Sequence, residues 1–269
     1  MNESIAKKPR RSSWQVAKNV WWAMFVREAL SRTMGDRLDW FWLFAQPILL
    51  VVVFVIIRTV ILGNIKAVSG ADYIPWLIIG FLGFQLFRQT MMRPMNAVES
   101  NRQLFSYRQV LPIDPVLVRC YIEGLLITFV LILFIFFSGL FGIYLIPYDS
   151  VLVLFSWFSL WCLGVGVGLV ISVLSVLVPE TKNIIPVMMM PLLLLSGVII
   201  PINYLPPDIV HYLLFNPIVH GLELLRSYFF ESYQPVQGSN FVYLWLCSFS
   251  TLAIGMGMHL RFEQRLKVL

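Results

Sequence analysis

The run VLVLFSWFSLWCLGVGVGLVISVLSVLV (Val151–Val178) contains no Asp, Glu, Lys or Arg. A bilayer core takes about 20 mostly apolar residues per helix. Lipid offers no partners to unpaired backbone groups, so a run of this length predicts a membrane-spanning helix. Five further stretches outward from it read the same way. They are Trp40 to about Leu62, broken by Arg58; Tyr73 towards Met92, with Arg88 near its end; and from near Val116 to about Ile146, with Glu123 in the first turns. The last two are Ile184 to about Pro201 and Phe241 to about Leu260. The residue-by-residue alternation of a β-barrel is absent. The expectation is an all-α membrane protein with six transmembrane helices.

Composition agrees. The 269 residues are 59% hydrophobic and only 13% charged, with a mean hydropathy of +0.80. A soluble domain carries about 25% charged residues. Cys120, Cys162 and Cys247 lie far apart, in or beside apolar segments, with neither disulfide nor metal-ligand spacing. The first forty residues are too charged for a cleavable signal peptide.

Two apolar segments are unsuited to spanning. Trp14 to Leu30 carries Lys18, Arg27 and Glu28. One face holds Trp14, Ala17, Trp21, Met24 and Phe25, and Glu28 and Arg32 intrude on it. It reads as a helix lying along the membrane surface. Tyr212 to Leu222 is the length of a re-entrant or interfacial helix, and Asn216-Pro217 is expected to break it.

Orientation follows the basic residues. Lys7, Lys8, Arg10, Arg11, Lys18, Arg27, Arg32 and Arg37 precede the first span. Arg88, Arg93, Arg102, Arg108 and Arg119 surround the connection after the second. Lys182 lies between the fourth and fifth, and Arg261, Arg265 and Lys267 follow the sixth. These segments are expected on the cytoplasmic side, with both termini inside. The opposite side keeps Arg58, Lys66 and Arg226 against Asp72, Asp149, Asp208, Glu223 and Glu231. The net charge of +6 is therefore a topology and anionic-lipid device, and nucleic acid is not an expected partner.

No enzyme motif is present. There is no G-x-x-x-x-G-K-[ST] loop to cradle nucleotide phosphates and no G-x-S-x-G elbow. His211, His220 and His259 stand apart from one another, so neither catalytic residues nor a metal site are expected. Polar groups inside spans are the pointers to a transport path. Gln85, Arg88 and Gln89 share a helix face at i, i+3 and i+4; with Arg93, Trp40 and Trp42 they are candidate path residues. Arg58 and Arg88 also lie near span ends, where they can snorkel to headgroups. Trp40 and Trp42 fit an interfacial aromatic belt as well as sugar stacking. Glu123 is expected to pair with Arg119, four residues earlier. Gly164 and Gly168 read as close-packing positions. Met188, Met189 and Met190, between Pro186 and Pro191, fit a kinked span or plain lipid contact.

The connection from Glu99 to Pro115 places Leu104, Phe105, Tyr107, Arg108 and Leu111 at helical spacing, with Pro112 and Pro115 ending or redirecting the helix. A short helix with aromatic knobs fits a socket on a soluble partner. It fits a helix lying on headgroups equally well.

The run Asn101-Arg-Gln-Leu-Phe-Ser-Tyr-Arg-Gln-Val-Leu-Pro-Ile-Asp114 resembles the signature of ABC-2-type permeases for capsular polysaccharide export. Asp39-Trp-Phe-Trp-Leu-Phe-Ala-Gln-Pro47 resembles the start of that family's first span. Pro191 to Ile202, Leu205-Pro, and Asn216-Pro-Ile-Val-His-Gly-Leu-Glu-Leu-Leu-Arg226 resemble its fifth span and periplasmic re-entrant helices. Pro179-Glu-Thr-Lys-Asn183 departs from the aspartate–arginine pairing of the family's turn.

The resemblance implies an ABC-2 exporter permease of the bacterial inner membrane. Residues 1–38 would be a cytoplasmic arm and interface helix, and residues 39–269 the permease domain. It implies a homodimer with two copies of a separate ATPase that binds ATP and Mg²⁺, and an export complex in the periplasm and outer membrane. A coupling helix near 99–115 would dock the ATPase through Arg102, Leu104, Phe105, Tyr107 and Arg108. Re-entrant helices near 203–231 would form a gate through Asn216, Pro217, His220, Glu223 and Arg226. Permeases for O-antigen, teichoic acid or another amphiphile share the fifth-span pattern. A membrane-embedded transferase would need clustered His, Asp or Glu, and a secondary transporter would need inverted repeats; the sequence has neither.

Overall fold

The computed structural model describes residues 13–34, 41–42, 45–46, 48–50, 52–54, 56–57, 68–107, 109–142 and 145–268. Trp40, Arg58 and Arg108 lie outside them. Among the described residues there is no strand, only an isolated bridge between Val68 and Ala71. The long helices are α1 (Ser13–Met34) and α2 (Tyr73–Met92). After the short α3 (Ala97–Ser100) come α4 (Ile113–Ser138), α5 (Ser150–Leu177) and α6 (Thr181–Leu195). Then follow α7 (Pro207–Leu213), α8 (Pro217–Phe229), α9 (Phe241–Arg261) and α10 (Glu263–Val268). The described residues between 41 and 57 are also helical.

Among the described residues three helices are long and apolar enough to cross a membrane: α4, α5 and α9. The other expected spans differ for identifiable reasons. α2 has the expected bounds but carries Gln85, Arg88 and Gln89. α6 stops after 15 residues, short of Pro201, because Gly197 adopts φ +68° and closes the helix in the left-handed manner that glycine permits. Part of the first stretch lies outside the described residues. α4 starts at Ile113, before the expected Val116. Pro115 falls in its first turn, where proline's fixed φ is suited to initiation and its missing N–H costs no bond. Side-chain caps start three helices. Asp149 accepts from Val151 and Leu152 N–H at 3.0 Å each, Asn216 from Ile218 N–H at 3.0 Å, and Asn240 from Val242 N–H at 2.7 Å. Asn216-Pro217 separates α7 from α8, as the sequence predicts.

The core forms around α5, which packs against α2, α4, α8 and α9. Its alternate glycines face different neighbours. A Cβ on Gly164 or Gly168 would meet the Thr90 region of α2, whereas one on Gly166 would fall 2.3 Å from Thr251 Oγ1 of α9. At the same α5–α9 seam, buried His259 lies 2.9 Å (Nε2) from Ser172 Oγ. α2 is buried along most of its length, Gln85 included, while Arg88 and Gln89 are half-buried.

α1 is tied into the protein as well as being apolar. Met24 is buried with Phe105, Val110, Val116, Val118 and Leu266. Trp21 Nε1–H donates to Asp114 Oδ1 at 3.0 Å, and Arg119 Nε–H donates to Glu28 Oε1 at 2.7 Å. The charge that intrudes on the apolar face of α1 is thus an anchor to α4. The expected Arg119–Glu123 pair does not form. Arg119 reaches Glu28 and Ser100 Oγ instead, and Glu123 pairs with Arg93 at 3.7 Å. Tertiary partners across helices displace the local i,i+4 pair, itself worth only about 0.2–0.5 kcal/mol.

Candidate functional site

Two clusters of candidate residues lie at opposite ends of the bundle. The first is the connection from α2 to α4. It runs as a 3₁₀ turn Arg93–Asn96, α3, and a 3₁₀ helix Arg102–Ser106, rather than as one α-helix. Asn101 interrupts it, because its Nδ2–H donates back to Ala97 O at 2.8 Å. The side chain thereby competes with helix continuation.

The tighter 3₁₀ winding sends neighbouring aromatics in opposite directions. Phe105 is 8% exposed and packs beneath the loop. Tyr107 is 67% exposed. Arg102, Gln103, Ser106, Gln109 and Leu111 also face outward, and Leu104 is half-buried. The outward patch is therefore mixed polar and apolar, held on an apolar underside. Between the loop and α1 runs a groove of about 320 Å³, with Tyr107, Leu104 and Val110 on one wall and Val20, Ala23 and Arg27 on the other.

The loop is tied to three other elements. Arg27 of α1 donates to Asn101 Oδ1. Arg119 of α4 donates to Ser100 Oγ at 2.8 Å. Lys182, in the first turn of α6, pairs with Glu99. The charge of Lys182 is used on the loop. Three anchors stand outside the residues singled out from the sequence: Asp114 and Glu99, which hold the loop, and Glu28, which holds α1 to α4. Glu28 and Asp114 carried a visible signal, since a carboxylate on an apolar face or in a helix first turn between two prolines requires a partner; exposed Glu99 carried none.

Of the path candidates, Gln85 is 3% exposed. Its Nε2–H donates to Gln46 Oε1 of the first stretch at 3.3 Å, and its Oε1 lies 3.5 Å from Arg88 Nη1. Gln89 is half-buried on the same helix, Arg93 has turned to Glu123, and Trp42 is exposed. The structure thus joins Gln46, Gln85 and Arg88.

The second cluster is the rim at the other end. Arg226 of α8 is 0% exposed and Glu223 is 1% exposed. Arg226 Nη1–H donates to Gly197 O at 2.9 Å and to Glu223 Oε1 at 3.3 Å, and Nη2–H donates to Val198 O at 3.2 Å. The guanidinium lies 3.7 Å from the Trp76 ring centroid. Glu223 Oε2 accepts from Tyr233 O–H at 2.9 Å and Val236 N–H at 3.0 Å. Burial pushes the Tyr233 phenol above its ordinary pKa.

One ion pair therefore joins the end of α6, the middle of α8, the following loop and α2. Asn216 Nδ2–H reaches Ser196 Oγ at 3.0 Å. His220 Nε2 lies 2.7 Å from Leu214 O while Nδ1 accepts from Asn240 N–H at 3.0 Å. The neutral tautomer protonated on Nε2 satisfies both. The five rim candidates thus join α8 to its surroundings, with Pro217 starting the helix.

A model of the ABC-2 type transporter family matches residues 19–230, which takes in both clusters. The chain belongs to the ABC-2 type transporters. This permease is 30% identical over 256 residues to the polysialic acid transport protein KpsM of Escherichia coli, covering 94% of the chain and 97% of the relative. It is 28% identical over 253 residues to the capsule polysaccharide export inner-membrane protein CtrC of Neisseria meningitidis, covering 93% of each. It is 24% identical over 208 residues to the capsule polysaccharide export inner-membrane protein BexB of Haemophilus influenzae, covering 77% of the chain and 78% of the relative.

Proposed function

We propose that this chain is the membrane-spanning subunit of an ABC exporter that moves a capsular, lipid-linked polysaccharide out of the cytoplasm. Six spans with both termini inside put the loop of residues 93–112 in the cytoplasm and the Glu223–Arg226 rim outside. The chain works as a pair with a second copy and two ATPase subunits, which hold ATP and Mg²⁺. It delivers polymer to an export complex in the periplasm and outer membrane.

The observation that carries this reading is the coupling loop. It offers an outward patch around Arg102 and Tyr107 and is bonded through Asn101, Ser100 and Glu99 to α1, α4 and α6. A push on the loop therefore reaches three helices at once. Closure of the ATPase pair shifts the permease only by as much as the ATPase binds its two states differently. Gln85, Arg88 and Gln89 are the path residues, because buried Gln85 and half-buried Arg88 and Gln89 offer polar groups to sugar hydroxyls along one face of α2. The full membership in ABC-2 transporters and the length-wide similarity to capsule exporters support this reading.

The test is deletion of the gene in its host. Surface polymer disappears, lipid-linked polymer accumulates inside, and the intact gene restores export. Normal surface polymer after deletion would remove the reading.

A further inference from the structure

A groove of about 390 Å³ runs between α4 and α5. Both walls belong to helices long and apolar enough to cross a membrane, so the groove faces lipid rather than water. Tyr121, Leu125 and Thr128 of α4 form one side, and Leu154, Phe158 and Trp161 of α5 the other. A Cβ on Gly124 would fall 2.3 Å from Trp161 Nε1, so the missing side chain lets the indole lie against α4.

The polar atoms of these walls are satisfied within them. Trp157 Nε1–H donates to Thr128 Oγ1 at 2.8 Å, Thr128 Oγ1–H donates to Gly124 O at 2.7 Å, and Trp161 Nε1–H donates to Cys120 O at 3.0 Å. What remains is ring face and aliphatic surface, with the Tyr121 hydroxyl at the end nearest the start of α4. A sugar or a peptide backbone would find no partners along the groove, and burying unpaired polar groups is costly. An acyl chain needs none.

The Tyr121 end meets α1. The Tyr121 ring lies 6.0 Å from that of Phe25, which stacks with Trp22 at 5.8 Å. Lys18, Trp22 and Phe25 follow at i, i+4 and i+7, so exposed Lys18 shares this flank of α1. Tryptophan and tyrosine mark the headgroup level of a bilayer, and a lysine there attracts anionic lipid. The groove thus leads from hydrocarbon to a cationic position beside α1, and its two ends match the two parts of an anionic phospholipid.

We propose that the α4–α5 groove holds one acyl chain of an anionic glycerophospholipid of the cytoplasmic leaflet, with its headgroup at Lys18. The proposal rests on the membrane placement given under the proposed function and adds a lipid site to it. A lipid seated there braces the Phe25–Tyr121 contact, and with it the helix whose Arg27 bonds Asn101 of the loop.

The test uses the permease–ATPase complex in phosphatidylcholine nanodiscs with a minor share of phosphatidylglycerol carrying a diazirine in one acyl chain. After photolysis, peptides lining the groove are expected to carry more label than the exposed stretch of α9 around Leu246 and Phe249, and to saturate as the labelled share rises. Diazirine phosphatidylcholine should label the groove about fivefold less, the effect of one lysine near an anionic lipid, and Lys18→Gln should remove that difference. Leu154 is exposed, so Leu154→Trp fills the groove from outside. It should lower groove labelling by both lipids about tenfold, as expelling about two methylenes does, with α9 labelling and unfolding temperature unchanged. Groove labelling no greater than that of α9, or unaltered in both variants, overturns the proposal. So does displacement of the label by the lipid-linked polymer, or by a helix of a second copy crosslinked in its place. These outcomes leave the export reading standing; that reading falls instead if surface polymer is normal after deletion of the gene.

Discussion

The guanidinium of Arg226 lies 3.7 Å from the centre of the Trp76 ring and 3.3 Å from Glu223 Oε1, with no solvent exposure. It joins α8 to α2 where Gly80 leaves room: a Cβ on Gly80 would stand 1.9 Å from Arg226 Nη2. Removing one member strands a buried charge, which costs about 3–5 kcal/mol. Arg226→Met is therefore expected to lower the unfolding temperature of the purified chain sharply. Adding Glu223→Gln should recover part of the loss. A single variant as stable as the parent protein would show that the pair does not hold the rim.

The two loop aromatics should separate by assay. Tyr107 points outward, so Tyr107→Asp should abolish co-purification of the ATPase without altering the unfolding temperature. Phe105 is buried, so Phe105→Asp should destabilise the permease itself, by at least the roughly 3–5 kcal/mol of emptying a buried aromatic site. Equal behaviour in both assays would contradict the division into outer patch and inner anchor.

Glu28 and Arg119 should report the docking of α1. Both are largely buried, and a hydrogen bond to a charged group contributes about 1.5–3 kcal/mol. Glu28→Arg should speed tryptic cleavage after Lys18, as α1 lifts from α4. Combining it with Arg119→Glu should slow cleavage again. If the combined variant is cut as fast as the single one, the contact is incidental.

Gly166 and Gly257 form a matched pair. A methyl on Gly166 would fall 2.3 Å from Thr251 Oγ1 and 2.8 Å from Leu252 N, whereas one on Gly257 meets nothing within 4 Å. Gly166→Ala should cost about 1–3 kcal/mol by forcing α5 from α9. Gly257→Ala should be neutral or stabilise by up to about 1 kcal/mol through helix propensity. Thermal unfolding of the two variants side by side decides it.

Much of this was legible in order along the chain. The bounds of α2, α5 and α9, the break at Asn216-Pro217 and the packing use of Gly164 and Gly168 follow from apolar length, proline and small side chains, which act locally. Less legible were the short α6 and the early start of α4. Gly197 and Pro115 carry those signals, but each residue type has more than one helix-end role. The site was harder. Phe105 and Tyr107 look alike in sequence, and only the 3₁₀ winding after Asn101 separates buried from exposed.

Apolar length and the placement of Lys and Arg are one-dimensional properties, so the sequence by itself determined a helical membrane protein with a basic loop end and an acidic far end. Partnership between distant charges was decided by the tertiary structure alone. Glu28 with Arg119 and Glu123 with Arg93 are separated by many residues. A buried charge takes whichever partner packing brings within reach, because leaving it unpaired costs more than any local preference can offset.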